Sequence, residues 1–284
     1  MIADSELILN PDGSIYHLNL LPEDIADTII FVGDPDRIPL VSQYFDSVDV
    51  RKGKREFITH TGELRGKRIS VVSTGIGTDN IDIVLNEIDA LVNVDFKTRK
   101  IKEQIRSVDI IRIGTSGSIQ EDIAMDTILA SEYAVGFDTL MQFYKKPYTS
   151  EEQEIRDAVN NQFSDLSFRP YVGKASVKLL KQIATDLPKG ITMTAPGFYA
   201  PQGRQIRSNN IYPNLIHQAN SIEIAGKRMT NLEMETAGIY ALCNMFGHNA
   251  LSINAILASR VNEKFSTNPA DIVDQAIRYV LDRL

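Results

Sequence analysis

One cysteine, Cys243, and no tryptophan occur in 284 residues. A single thiol excludes an internal disulfide and suits a reducing cytoplasm, the compartment the sequence points to. Basic residues are outnumbered by acidic ones, 30 against 37, giving a net charge of −7. That excludes a general affinity for the nucleic-acid backbone, which needs a basic surplus. No apolar run is long enough to span a bilayer, and Met1 to Asn10 carries Asp4 and Glu6 with no basic region. Neither a membrane partner nor a signal peptide is expected. The histidines His17, His60, His217 and His248 are scattered, with no metal-ligand spacing, so no metal is expected. Familiar catalytic loops are missing too. Gly114-Thr115-Ser116-Gly117-Ser118 lacks the second glycine of a nucleophile elbow. Gly62-Glu63-Leu64-Arg65-Gly66-Lys67 is one residue short of a phosphate loop, and Gly75-Ile76-Gly77 has no third glycine at Asn80 to complete a dinucleotide fingerprint.

What is present is ordinary globular material, 43% apolar and 24% charged, with room for a large core. No Pro/Gly/Ser-rich linker and no repeat interrupts it, so residues 1–284 are read as one domain. Ile110-Ile111-Arg112-Ile113 is a buried strand that runs into a small-residue turn, Gly114-Thr115-Ser116-Gly117. Arg112 interrupts the apolar run, and a charge there needs a partner. Either it serves an anion with the hydroxyls and N–H groups of the turn, phosphate fitting best, or it pairs with a structural carboxylate.

Strand patterns recur at Thr28–Val32, 46–52, 55–61, 67–73, near 127–133, at Ile191–Thr194, Met229–Leu232 and Leu251–Leu257. Helical patterns lie between them: from Pro35 to about Phe45, at 79–92, near 151–163 and 174–186, from Glu233 to about Phe246, and from Pro269 to Leu284. Asp34 is placed to cap the first of these, with Pro35 at its first turn. Residues 93–106 read as a charged, exposed extension. Alternating strands and helices predict a mainly parallel or mixed sheet covered by helices. Ligands of such sheets bind at the carboxyl ends of the strands.

Several strand ends carry polar groups in a specific order: GDPDR at 33–37, REF at 55–57, STGIG at 73–77, RIGTSG at 112–117, FYAPQGR at 198–204 and NLEMETA at 231–237. Taken together from His17 to Arg260, this order resembles the nucleoside phosphorylase superfamily, and most closely its uridine phosphorylases. The spacing of Phe198, Gln202 and Arg204 is the feature that resembles the uridine branch. The resemblance implies a three-layer α/β/α fold with a central mixed, partly barrel-like sheet. It implies a pentosyltransferase that splits uridine with phosphate into uracil and ribose 1-phosphate.

By the same resemblance, Gly33, Arg37, Arg112 and Thr115 would hold phosphate, with Arg55 supplied by a neighbouring subunit. Thr115, Met234 and Glu235 would hold the ribose, with His17 of a neighbour. Phe198 would pack on ribose and base, and Gln202, Arg204 and Arg260 would face the base. Arg112, Glu235, Gln202 and Arg204 would carry catalysis. The enzyme would be a homo-oligomer, at least a dimer with shared sites, and a hexamer is compatible. No cofactor is implied beyond phosphate as co-substrate. Some bacterial relatives hold a monovalent cation at the dimer interface through a serine and the glutamate matching Glu56, but here Asn80 follows the glycine turn.

The chemistry agrees with these roles. Arginines neutralise a phosphate dianion and place one oxygen under the anomeric carbon. A carboxylate accepts from two vicinal hydroxyls. Uracil presents carbonyl, N–H and carbonyl, which a glutamine and an arginine can match. Donors aimed at its oxygens bind the departing anion more strongly than the neutral base. The rival readings are a purine phosphorylase, a water-using nucleosidase and a non-catalytic nucleoside-binding relative. The first typically uses an aspartate at purine N7, where Arg260 stands here.

Overall fold

The computed structural model describes residues 1–284. Its strands are β1 (Thr28–Val32), β2 (Ser47–Lys54), β3 (Phe57–Leu64), β4 (Lys67–Ser73), β5 (Val94–Asp95), β6 (Lys100–Ile101), β7 (Asp109–Ser118), β8 (Ile128–Gly136), β9 (Tyr171–Lys174), β10 (Lys189–Thr194), β11 (Glu223–Ile224), β12 (Lys227–Glu233), β13 (Asn249–Ser259) and β14 (Lys264–Phe265). Its helices are α1 (Arg37–Ser42), α2 (Thr78–Asn93), α3 (Ser150–Gln162), α4 (Val177–Ile183), α5 (Leu215–Asn220), α6 (Thr236–Phe246) and α7 (Pro269–Leu281).

The main sheet runs β11-β12-β10-β8-β13-β7-β1-β4-β3-β2. β12 also pairs with β7, Leu232 opposite Gly117, so β12, β10, β8, β13 and β7 close into a ring. The remaining strands open outward from β1. This is the partly barrel-like mixed sheet of a three-layer α/β/α fold. β1 lies parallel to β4 and β7, and β7 parallel to β13, so their carboxyl ends share one edge.

Helix periodicity explains the covering layers. Ile81, Val84, Leu85, Ile88 and Leu91 of α2 are buried, as are Ile272, Val273, Ala276, Ile277, Val280 and Leu281 of α7. Those spacings form one apolar stripe per helix. They join a core with Ile29 to Val32 and Ile110 to Ile113. A second core gathers β8, β10 and β12 against α3 and α5, around Tyr133, Met193 and Met229.

The structure departs from the sequence reading at several points. The small residues Gly114 to Gly117 do not turn: β7 continues through them to Ser118, paired with β13 on one side and β12 on the other. Gly114 is small because the Arg112 side chain lies over it; a Cβ there would meet Nη1 at 1.8 Å. α1 begins at Arg37 rather than Pro35, and Asp34 instead accepts from the Asp36 N–H at 3.0 Å in a tight turn. The helix expected near 174–186 is there but shorter, α4 at Val177–Ile183, and it follows a strand, β9, that the sequence patterns did not show. Glu233 ends β12, and α6 starts at Thr236. The charged extension folds into the β5–β6 hairpin, where Arg99 donates to the carbonyls of Ile2, Ala3 and Leu7 and pins the N-terminal segment.

Candidate active site

A cavity of about 740 Å³ opens where β1, β4, β7, β10, β12 and β13 end. Strand order sets out its walls. Next to β10 comes β12, then β7, then β1, then β4. The corresponding groups are Phe198, Gln202 and Arg204, then Met234 and Glu235, then Arg112 and Thr115, then Gly33 and Arg37, and finally Gly75 and Ile76.

Arg112 and Glu235 meet in the middle. Arg112 Nη2 donates to Glu235 Oε2 at 2.5 Å and reaches Glu233 Oε2 at 3.1 Å. Its Nη1 reaches Asn254 Oδ1 at 3.3 Å and Ser252 Oγ at 3.4 Å. Arg112 is therefore paired to carboxylates, the second of its two readings, while it also lines the cavity. Burial opposes the Arg112 charge, and Glu233 and Glu235 outweigh it, holding the guanidinium firmly protonated. Burial also lifts the Glu235 carboxyl above its ordinary range, with Arg112 pulling the other way. Glu235 Oε1 accepts from the Gly77 N–H at 2.9 Å. Gly77 has φ of +97°, a conformation that favours glycine, so the STGIG turn can present that N–H.

Glu233 was not singled out as a site residue, yet it organises this region. It accepts from the N–H groups of Glu235 and Thr236, at 2.9 and 3.0 Å, and from Thr194 Oγ1 at 2.6 Å. It thus caps α6 while bracing Arg112. The two glutamates flanking Met234 in the NLEMETA motif were the available signal.

Arg37 lies at the far wall with no acceptor for its guanidinium in the chain, beside the Gly33 backbone. Burial lowers its pKa and the like charge of Arg112 adds to that, against the opposing pull of Asp34 and Glu235.

At the other wall the Arg204 guanidinium stacks 3.8 Å over the Phe198 ring, donates to the Phe198 carbonyl at 2.8 Å and donates to Gln202 Oε1 at 2.5 Å. Burial, then the like charge of Arg260, lowers Arg204 to about 10, so it remains a cation at neutral pH. Gln202 is buried. With its oxygen turned to Arg204, its Nε2 group is left as a donor.

Three expected site residues do not line this chain's cavity. Arg260 stands behind the wall and donates to the Gln202 main-chain carbonyl at 2.9 Å, so it supports Gln202. Arg55 is exposed at the β2–β3 turn with φ of +59°. His17 Nδ1 lies 2.7 Å from Glu87 Oε1, and Glu87 also accepts from the His17 and Leu18 N–H groups. The cavity wall also includes Glu56, Asn80, Leu257 and Phe265, which the sequence reading did not assign to substrate.

Comparison with known proteins places the chain in a family. Residues 27–281 match the family model of the phosphorylase superfamily. A uridine phosphorylase from Thermococcus kodakarensis is 29% identical over 89% of this chain and 80% of its own length. A DeoD-type purine nucleoside phosphorylase from Listeria monocytogenes is 25% identical over 84% of each. Among solved structures, a Trypanosoma brucei nucleoside phosphorylase described as showing uridine phosphorylase activity superimposes with a TM-score of 0.88. It is 30% identical and covers 98% of this chain and 99% of that one. A uridine phosphorylase from the oomycete Phytophthora capsici shares the fold at 21% identity, a TM-score of 0.68 and coverage of 97% and 95%. No helix is long and apolar enough to cross a membrane. By its sequence and its fold, the chain belongs to the phosphorylase superfamily.

Proposed function

We propose that this protein is a uridine phosphorylase, converting uridine and phosphate reversibly to uracil and ribose 1-phosphate. One observation carries the reading. Along the strand order β10, β12, β7, β1, the cavity wall offers a base-edge pair, a ribose carboxylate and two arginines, the sequence of parts in a nucleoside beside phosphate.

Arg37 and Arg112, with the Gly33 backbone and Thr115, hold phosphate. Arg55 of the partner subunit completes the set. Glu235 accepts from the 2′- and 3′-hydroxyls and Met234 packs against the sugar, with His17 of the partner subunit at its far end. Each Glu235 oxygen already accepts one bond, and each keeps a lone pair for a hydroxyl. Phe198 packs on the base while Gln202 Nε2 and Arg204 donate to its carbonyl oxygens. Charge grows on those oxygens as the glycosidic bond breaks, so the donors bind the transition state more tightly than the substrate. Phosphate is the nucleophile, and no side chain need form a covalent bond. Deoxyuridine and thymidine, lacking one hydroxyl, are weaker substrates.

The working unit is a dimer or a larger assembly, since Arg55 and His17 do not line their own chain's cavity. No cofactor enters the chemistry, and the monovalent cation of some relatives would have to use Glu56 with Asn80 beside it. A purine phosphorylase is disfavoured by the Phe198–Arg204 loop, which holds no carboxyl group to protonate N7, and by Arg260, which cannot act as an acid at neutral pH. Phosphorolysis of uridine, inosine and adenosine at equal concentration tests the choice of base. Uridine turnover at least tenfold above either purine is expected, and a preference for inosine or adenosine would overturn the reading.

A further inference from the structure

The interior of the closed ring of strands is polar where such barrels are usually filled by branched apolar side chains. Among the buried polar side chains of these strands, five are linked: Ser116 of β7, Asn254 of β13, Ser131 of β8, Thr192 of β10 and Asn231 of β12. They form one continuous chain of hydrogen bonds. Asn231 Nδ2 donates to Ser116 Oγ at 2.9 Å, and Thr192 Oγ1 donates to Asn231 Oδ1 at 2.9 Å. Ser131 and Thr192 are 2.5 Å apart, and Asn254 Nδ2 lies 3.0 Å from Ser131 Oγ.

With the Asn231 and Asn254 amides placed as they are, one set of directions satisfies the chain. Thr192 has spent its one proton on Asn231, so Ser131 must donate to Thr192. The Ser131 oxygen is then the acceptor for the Asn254 amide. That turns Asn254 Oδ1 toward Arg112 Nη1, 3.3 Å away. Read from the other end the answer is the same, because a guanidinium can only donate.

Four interior strand positions thus spend buried polar groups, each costly unless satisfied, to fix one amide oxygen. The two glutamates hold Nη2 of Arg112, which leaves the guanidinium plane free to pivot about that corner. Acceptors on Nη1, Asn254 Oδ1 at 3.3 Å and Ser252 Oγ at 3.4 Å, set the plane, and Asn254 is the one that the chain of hydrogen bonds holds in place.

We propose that Asn254 is a positioning residue for Arg112: the polar interior of the barrel holds its amide so that Arg112 faces phosphate in the competent orientation. This rests on the phosphate role given to Arg112 above. Asn254 itself touches no substrate.

The test compares Asn254→Leu, which removes the acceptor at similar volume, with Asn254→Ala, which removes it without adding apolar bulk. Arg112→Ala is the reference. Both Asn254 variants should raise the phosphate KM about tenfold, the loss of one hydrogen bond to a charged group, while the uridine KM stays within about twofold. The Ala variant carries the test if the Leu variant does not fold. A folded Asn254→Ala protein with parental phosphate KM, beside an Arg112→Ala protein whose phosphate KM has risen, would overturn the inference alone. An Arg112→Ala protein with parental phosphate KM would overturn the phosphate reading and the inference together. Equal rises in both KM values, or a lower melting temperature with parental kinetics, would show a merely structural role and overturn it too.

Discussion

Arg112 and Glu235, far apart in sequence, are joined at 2.5 Å in the floor of the cavity, and each is held by a second group, Asn254 on one side and the Gly77 N–H on the other. The phosphate end and the ribose end of the site are therefore one unit, and disturbing either should be felt by both.

The pH dependence of uridine cleavage should report this pair. Burial raises the Glu235 carboxyl above its ordinary 4.5, and ribose binding needs the carboxylate. Activity is then absent below the raised pKa and returns as pH climbs through it. In the window between 4.5 and the raised value the folded protein holds a proton that the unfolded chain has released, so rising pH costs stability there. An acid limb of kcat/KM above 4.5 is expected; a limb at or below the ordinary carboxylate value would contradict it.

Gly114→Ala should damage the site from behind. Its Cβ would stand 1.8 Å from Arg112 Nη1, so the guanidinium must move. Crowding of this kind costs about 1–3 kcal/mol of stability. Displacement of Arg112 should also raise the phosphate KM by about tenfold or more, since a charge-assisted contact is lost. A folded variant with parental phosphate affinity would show that Arg112 does not contact phosphate.

Arg204→Ala should act on the base instead. Losing a charge-assisted bond costs about 1.5–3 kcal/mol, or about tenfold to 150-fold in kcat/KM for uridine. Part of the loss should fall on kcat, because the bond strengthens as uracil becomes an anion. Phosphate KM should move less. Loss of phosphate affinity with normal uridine kinetics would place Arg204 at the wrong end of the cavity.

Much of this site was legible in the sequence because strand ends carry it. Gly33, Arg37, Arg112, Thr115, Phe198, Gln202, Arg204, Met234 and Glu235 all come together at one cavity. What was illegible depends on the third dimension. The glycines at 114 and 117 looked like a turn because small residues usually mark one, whereas here they make room for the side chains of Arg112 and Arg260. Glu233 was expected to open a helix, and it ends β12 and braces a buried arginine. Nothing in the spacing of Ser116, Ser131, Thr192, Asn231 and Asn254 announces that they meet; only closure of the barrel brings them into one chain. Arg260 shows the converse: it was expected to face the base, and it donates instead to the Gln202 main-chain carbonyl.

Shared sites can be tested by subunit exchange. Arg55→Ala and Glu235→Ala proteins should each be nearly inactive alone. After mixing under conditions that exchange subunits, a fraction of sites regains both residues and activity returns. No recovery, with exchange verified, would place Arg55 outside the neighbour's site.

The most direct measurement is uridine cleavage with and without inorganic phosphate, with the sugar product identified. The account predicts no appreciable cleavage without phosphate, and uracil and ribose 1-phosphate in equal amounts with it. Equal rates in both conditions, with free ribose as the product, would contradict it.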